Sequence, residues 1–102
     1  MNVKLKILLA EDDSHVATIT KLALEKIGGH DVHVATDGEM AVHRAGADKF
    51  DLLILDGMMP KLSGVATAKI LKQKLNPAPP IIFLSAKSQP NDIEEFLKYG
   101  IG

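Results

Sequence analysis

Four carboxylates stand where apolar runs end. Glu11, Asp12 and Asp13 follow KILLA at 6–10 without a break, and Asp56 follows DLLIL at 51–55. A hydroxyl, Ser85, follows PIIFL at 80–84 in the same way. A charge in such a place costs free energy unless something binds it or it does chemistry. Carboxylates drawn to one place repel one another, and a hard cation relieves that cost; Mg²⁺ suits because it takes oxygen ligands and keeps several waters. With its neighbours neutralised, an Asp56 oxygen is available to attack a phosphoryl group as a nucleophile. Ser85 then offers a hydrogen bond to a phosphoryl oxygen, and the main-chain carbonyl of Met58 offers the metal another oxygen. Gly57 permits close approach, and Pro60 stiffens the turn.

The elements that must position these residues follow from periodicity. KILLA, DLLIL and PIIFL are nearly continuous apolar runs, which suits strands covered on both faces, whereas DVHVA at 31–35 alternates and suits an edge strand. Helical spacing lies between them. Val16, Ile19, Ala23 and Ile27 form one stripe, with Asp13 or Ser14 as the cap and Gly28-Gly29 as the stop. DGEMAVHRAG opens on a capping Asp37 and closes at Gly46. SGVATAKILKQKL places Val65, Ala68, Leu71 and Leu75 on one stripe and halts before NPAPP. A last helix is expected within SQPNDIEEFLKYG. The alternation βαβαβαβα predicts an α/β fold: parallel strands, right-handed crossovers and a three-layer open sheet. Ligands of such sheets bind outside the carboxyl ends of the strands, and all the residues named above fall at those ends.

Composition narrows the classes. The 102 residues suffice for one domain, spanning 1–102, and 46% hydrophobic with 25% charged residues is an ordinary globular balance. A formal net charge of −1 gives no global attraction for nucleic acid or membrane. The absence of cysteine excludes disulfides, thiol nucleophiles and cysteine zinc sites. The start MNVKLKILLA runs into acids where a signal peptide would have a small-residue cleavage site, so it reads as a first strand of a cytoplasmic protein. His15, His30, His33 and His43 match no zinc spacing and read as surface or edge residues. Lys69, Lys72 and Lys74 read as the solvated face of a helix. No GxxxxGKS or GxGxxG phosphate loop is present.

Each site residue also has a plainer use. EDDS is an ordinary helix-capping sequence, LDGMMP a strand and its turn, and Ser85 a turn residue. Taken as a set they favour a site. An aspartyl-phosphate hydrolase would want a second acid two residues after its nucleophile, and Met58 stands there. An interaction module of the same shape that is never phosphorylated is the other alternative.

ILLAEDDS, DLLILDGMMP-KLSG and IIFLSAKS, in this order and approximate spacing, resemble the receiver domain of two-component response regulators over essentially the whole chain. The resemblance implies a flavodoxin-like sheet of order 2-1-3-4-5. It makes Asp56 the phospho-acceptor of a histidine kinase, a phosphotransfer protein or a small phosphodonor, in a signalling domain that is not a turnover enzyme. Glu11 and Asp12 become the acidic pair, with Asp12 a direct Mg²⁺ ligand, Met58 a carbonyl ligand and Ser85 the residue that turns to the phosphoryl group. Receiver domains continue with a fifth strand, a lysine followed by proline, and a fifth helix, whereas this sequence stops at Gly102; neither Lys87 nor Lys98 matches that lysine. The expectation is therefore (βα)4 of a (βα)5 receiver, truncated at its C-terminus, with an exposed fourth-strand edge suited to homo-oligomer pairing.

Overall fold

The computed structural model describes residues 4–56, 59 and 62–84. Along the chain come β1 (Lys6–Ala10), α1 (Ser14–Gly28), β2 (Asp31–Ala35), α2 (Gly38–Ala47), β3 (Leu52–Asp56), α3 (Gly64–Lys74) and β4 (Ile81–Leu84). Met58, Ser85 and the helix expected within SQPNDIEEFLKYG lie outside the described residues. All strand pairs are parallel, in the order β2-β1-β3-β4. This is the expected flavodoxin-like order over four strands. The chain moves outward from β1 to β2 and then returns to β3, so the connections diverge between β1 and β3, where such sheets bind their ligands.

Strand alternation divides the core into two layers. Ile7, Leu9, Leu52 and Ile54 face α1, together with Ala17, Leu24, Val32 and Leu84. Leu8, Ala10, Leu53 and Leu55 face α2 and α3, against Ala35, Ala41, Ala45, Ala68 and Leu71. The central strands β1 and β3 are thus covered on both sides, as their unbroken apolar runs require. β4 departs from that expectation: its Ile81 and Ile82 are half-buried and Phe83 is exposed. It pairs with β3 alone among the described residues, and an edge strand has less neighbouring surface to cover it.

Asp13 and Asp37 cap their helices as expected, Ser63 caps α3, and α2 runs through the expected stop at Gly46 to Ala47. The Asp13 carboxylate accepts the N–H groups of His15 and Val16 at 2.9 and 3.2 Å, Asp37 accepts that of Met40 at 2.8 Å, and Ser63 accepts that of Ala66 at 3.2 Å. Gly29 ends α1 at φ 67°, where a side chain would be strained. Two apolar stripes are corrected. In α1 the buried residues are Ala17, Thr20 and Leu24, while Val16, Ile19 and Ile27 are exposed. Small residues at 17 and 20 let the helix lie close on the sheet, leaving the bulkier stripe at its side. In α3, Thr67, Ala68 and Leu71 are buried and Val65 is exposed. His30 is likewise no surface residue: it is buried, and its Nδ1 accepts the N–H of Leu5 at 3.1 Å.

The two faces of α1 differ in consequence. Leu24→Ala should destabilise the protein by about 2–5 kcal/mol, whereas Ile27→Ser should stay within roughly 0.5 kcal/mol of wild type, both measured by urea unfolding.

Candidate functional site

Register and alternation together bring the acids of β1 and β3 side by side. Leu9 pairs with Ile54 and Ala10 with Leu55, so continuing the ladder by one residue sets Glu11 level with Asp56. Leu9 and Ile54 share one layer of the core and Ala10 and Leu55 the other. With a side-chain period of two, Glu11 and Asp56 therefore both lean towards the α1 side of the sheet. Asp56 is itself the last residue of β3, one position later than the strand end read from the sequence, and pairs with Leu84. Glu11 is held by its own main chain, whose N–H donates to the carbonyl of Ala35 at 2.9 Å and extends the β1–β2 ladder past Ala10.

Asp12 completes the group from the turn into α1. Carboxylate oxygens of Glu11, Asp12 and Asp56 lie within 4.8 Å of one another, a grouping whose members are respectively buried, exposed and half-buried. Asp13, the fourth acid at the sequence's strand ends, is used differently: it caps α1, so the plainer reading of EDDS holds for that residue. Met58 and Ser85, with Gly57 and Pro60, lie outside the described residues.

The electrostatics of Glu11 reflect its setting. Burial pushes its carboxyl up to about 7, and the neighbouring carboxylates push in the same direction, Asp56 as a hydrogen-bond partner and as charge and Asp12 as a hydrogen-bond partner. The Asp13 N–H, donating to Glu11 Oε2 at 3.2 Å, offsets part of this by favouring the ionised form. Without a cation, Glu11 thus holds a proton over much of the range where an ordinary carboxyl has lost it. An all-oxygen donor set that retains a proton to avoid accumulating charge fits a hard divalent cation.

A groove of about 370 Å³ opens off this rim between α1 and β2, lined by Glu11, Asp12, Ser14, Thr18, Lys21 and Thr36 among others. A larger one, about 770 Å³, lies at the opposite end of the strands, around Phe50, Leu53, Leu75 and Pro77. Two of its acids serve the fold: Asp48 pairs with Lys6 Nζ, and Asp51 accepts the main-chain N–H of Lys6 at 2.8 Å. Size therefore does not identify the site; the convergence of charge does. One residue beside the rim was passed over in the sequence. Gly38, the first residue of α2, is buried against Leu62 and Thr67. Its only signal was its place after the capping Asp37.

Comparison with known proteins identifies the family. The family model of the response regulator receiver domain matches residues 7–102. The chain is 40% identical over 87 residues to the alkaline phosphatase synthesis transcriptional regulatory protein PhoP of Bacillus subtilis, covering 85% of this chain and 35% of that protein. It thus spans about a third of that relative's length. The receiver domain of a Francisella response regulator superposes with a TM-score of 0.76 at 36% identity, covering 95% of this chain and 78% of the other. The receiver domain of the sensor histidine kinase PA1611 from Pseudomonas aeruginosa, solved with a magnesium ion coordinated in its active-site cleft, gives 0.77 at 29% identity, covering 98% and 82%. With the family model matched almost from end to end and the flavodoxin-like sheet in place, the chain belongs to the receiver domains of two-component response regulators.

Proposed function

We propose that this receiver domain is a phospho-acceptor, with Asp56 as the residue that takes the phosphoryl group. The observation that carries the reading is the gathering of Glu11 and Asp12 around Asp56 within 4.8 Å. A carboxylate oxygen of Asp56 attacks the phosphorus and forms an acyl phosphate. The bond from phosphorus to the donor's leaving atom breaks, and the leaving group departs with that electron pair. For a phosphohistidine of a histidine kinase or phosphotransfer protein the leaving group is an imidazole, which retains the pair on nitrogen and takes up a proton.

Asp12, Glu11 and Asp56 would hold Mg²⁺, with the main-chain carbonyl of Met58 as a further ligand. The ion would supply charge neutralisation at the phosphoryl oxygens. The Pseudomonas receiver domain with magnesium in its cleft supports this choice of ion. Asp12, the exposed member of the group, would meet the ion from solvent, with the buried Glu11 beside it. Ser85 would hydrogen-bond the phosphoryl group once it is on Asp56.

Incubation with Mg²⁺ and a small acyl phosphate should add one phosphoryl group to the wild-type chain by intact-mass measurement, and none to Asp56→Asn. An unmodified wild type would favour the non-phosphorylated interaction module. Calorimetric titration should show Mg²⁺ binding weakened by about tenfold or more in Asp12→Ala.

Glu11 also makes a pH dependence. Its folded-state value of about 7 stands above the ordinary 4.5, so between these values the folded state binds more protons than the unfolded one. Stability without divalent ions should then fall as pH rises from 4.5 to about 7. The loss attributable to this residue is about 1–3 kcal/mol. The difference between wild type and Glu11→Gln in urea unfolding across that range isolates it, and a flat difference would contradict the assignment. Added Mg²⁺ should stabilise wild type more at pH 8 than at pH 5.

A further inference from the structure

The start of α2 makes a contact that ordinary helix packing does not need. A Cβ built on Gly38 would fall on Thr67 Oγ1, 2.5 Å from the main-chain oxygen of Leu62 and 2.7 Å from Leu62 Cβ. Neither neighbour is free to yield. Thr67 is fully buried, and its Oγ1 donates to the Ser63 carbonyl at 2.7 Å, the same carbonyl that accepts the Thr67 N–H at 2.9 Å. The Leu62 oxygen belongs to the backbone and moves only with the segment that carries it. Glycine is required here for space, whereas Gly46 of the same helix has nothing within 4 Å of a Cβ built on it.

The contact joins two connections near the rim, one from β2, whose Ala35 is bonded to Glu11, and one from β3, which ends in Asp56. Ala35, three residues before Gly38, holds the Glu11 N–H. Leu62 lies six positions after Asp56 and immediately before Ser63, which caps α3. We propose that Gly38 is a positioning residue for phosphoryl transfer: by letting α2 rest on Leu62 and Thr67, it keeps the start of α3, the element that follows Asp56 in the chain, against the connection whose Ala35 holds Glu11. This inference rests on the phospho-acceptor reading and adds to it a residue that touches neither ion nor phosphoryl group. A side chain at 38 drives Leu62 and the start of α3 away from α2. α3 is the element that follows Asp56 in the chain, and a misplacement of about 1 Å at the site is enough to cost a reaction up to roughly 100-fold.

The test compares Gly38→Ala with Gly46→Ala, the same chemical change in the same helix, and with Leu24→Val on the other face of the sheet. All are assayed at a temperature where circular dichroism shows them folded. Gly38→Ala should slow phosphorylation of Asp56 by a small phosphodonor on the order of 10- to 100-fold. Gly46→Ala and Leu24→Val should match wild type, since stability alone does not change the rate of a folded site. A wild-type rate in Gly38→Ala overturns the inference. If Gly38→Ala does not fold, Thr67→Ala loosens the same contact; it should slow the reaction on the order of tenfold, and a wild-type rate there overturns the inference equally. A wild type that takes no phosphoryl group defeats the phospho-acceptor reading instead. Mg²⁺ titration of the same variants then decides, with affinity weakened about tenfold in Gly38→Ala supporting the positioning role and unchanged affinity refuting it.

Discussion

Three carboxylates within 4.8 Å of one another repel, and they stay there because the sheet leaves them no alternative. Glu11 and Asp56 continue or end the two adjacent central strands, whose neighbouring residues from Ile7 to Ala10 and from Leu52 to Leu55 are fully buried. Slipping either strand by one residue would separate the acids, but it would also turn every buried side chain of that strand to the opposite layer. The hydrophobic core thus holds the charges together against their own repulsion. Burial first, and the neighbouring carboxylates after it, raise the Glu11 carboxyl to about 7, and a bound cation would offset both.

The same arrangement separates stability from chemistry along the strand direction. The carboxyl ends of the strands carry charge that burial and neighbours make costly. Their amino ends carry charge that is paired for support: Asp51 clips the start of β3 to Lys6 of β1, and His33 lies between Asp31 and Arg44 on the edge strand β2. Helix starts serve both purposes. Asp13 caps α1 and also, through its main-chain N–H, steadies the ionised form of Glu11.

Much of this was legible in the residues. Four apolar runs located the four strands to within a residue: β1 and β3, buried on both faces, have little choice but to be continuously apolar, and β2, at the edge, alternates. Glu11, Asp12 and Asp56 were readable as a group once parallel order put the strand ends on one rim. Periodicity was less informative about faces. The bulkiest stripe of α1, Val16, Ile19 and Ile27, stands exposed, because helix rotation is set by how closely small residues can approach the sheet. Gly38 was illegible for a related reason: a close contact between α2 and the start of α3 has no signature in either segment alone. Met58 and Ser85 rest on the family pattern, since they lie outside the described residues. Among the described residues no helix is long and apolar enough to cross a membrane.

The most direct test of the convergence is a carbon-detected NMR titration of the Glu11 side-chain carboxyl without divalent ions, in wild type and in Asp56→Asn. The account predicts a midpoint near 7 in wild type, moving down towards the ordinary carboxyl range when the Asp56 charge is removed. A Glu11 midpoint near 4.5 that ignores the state of residue 56 would show that these side chains do not share a site.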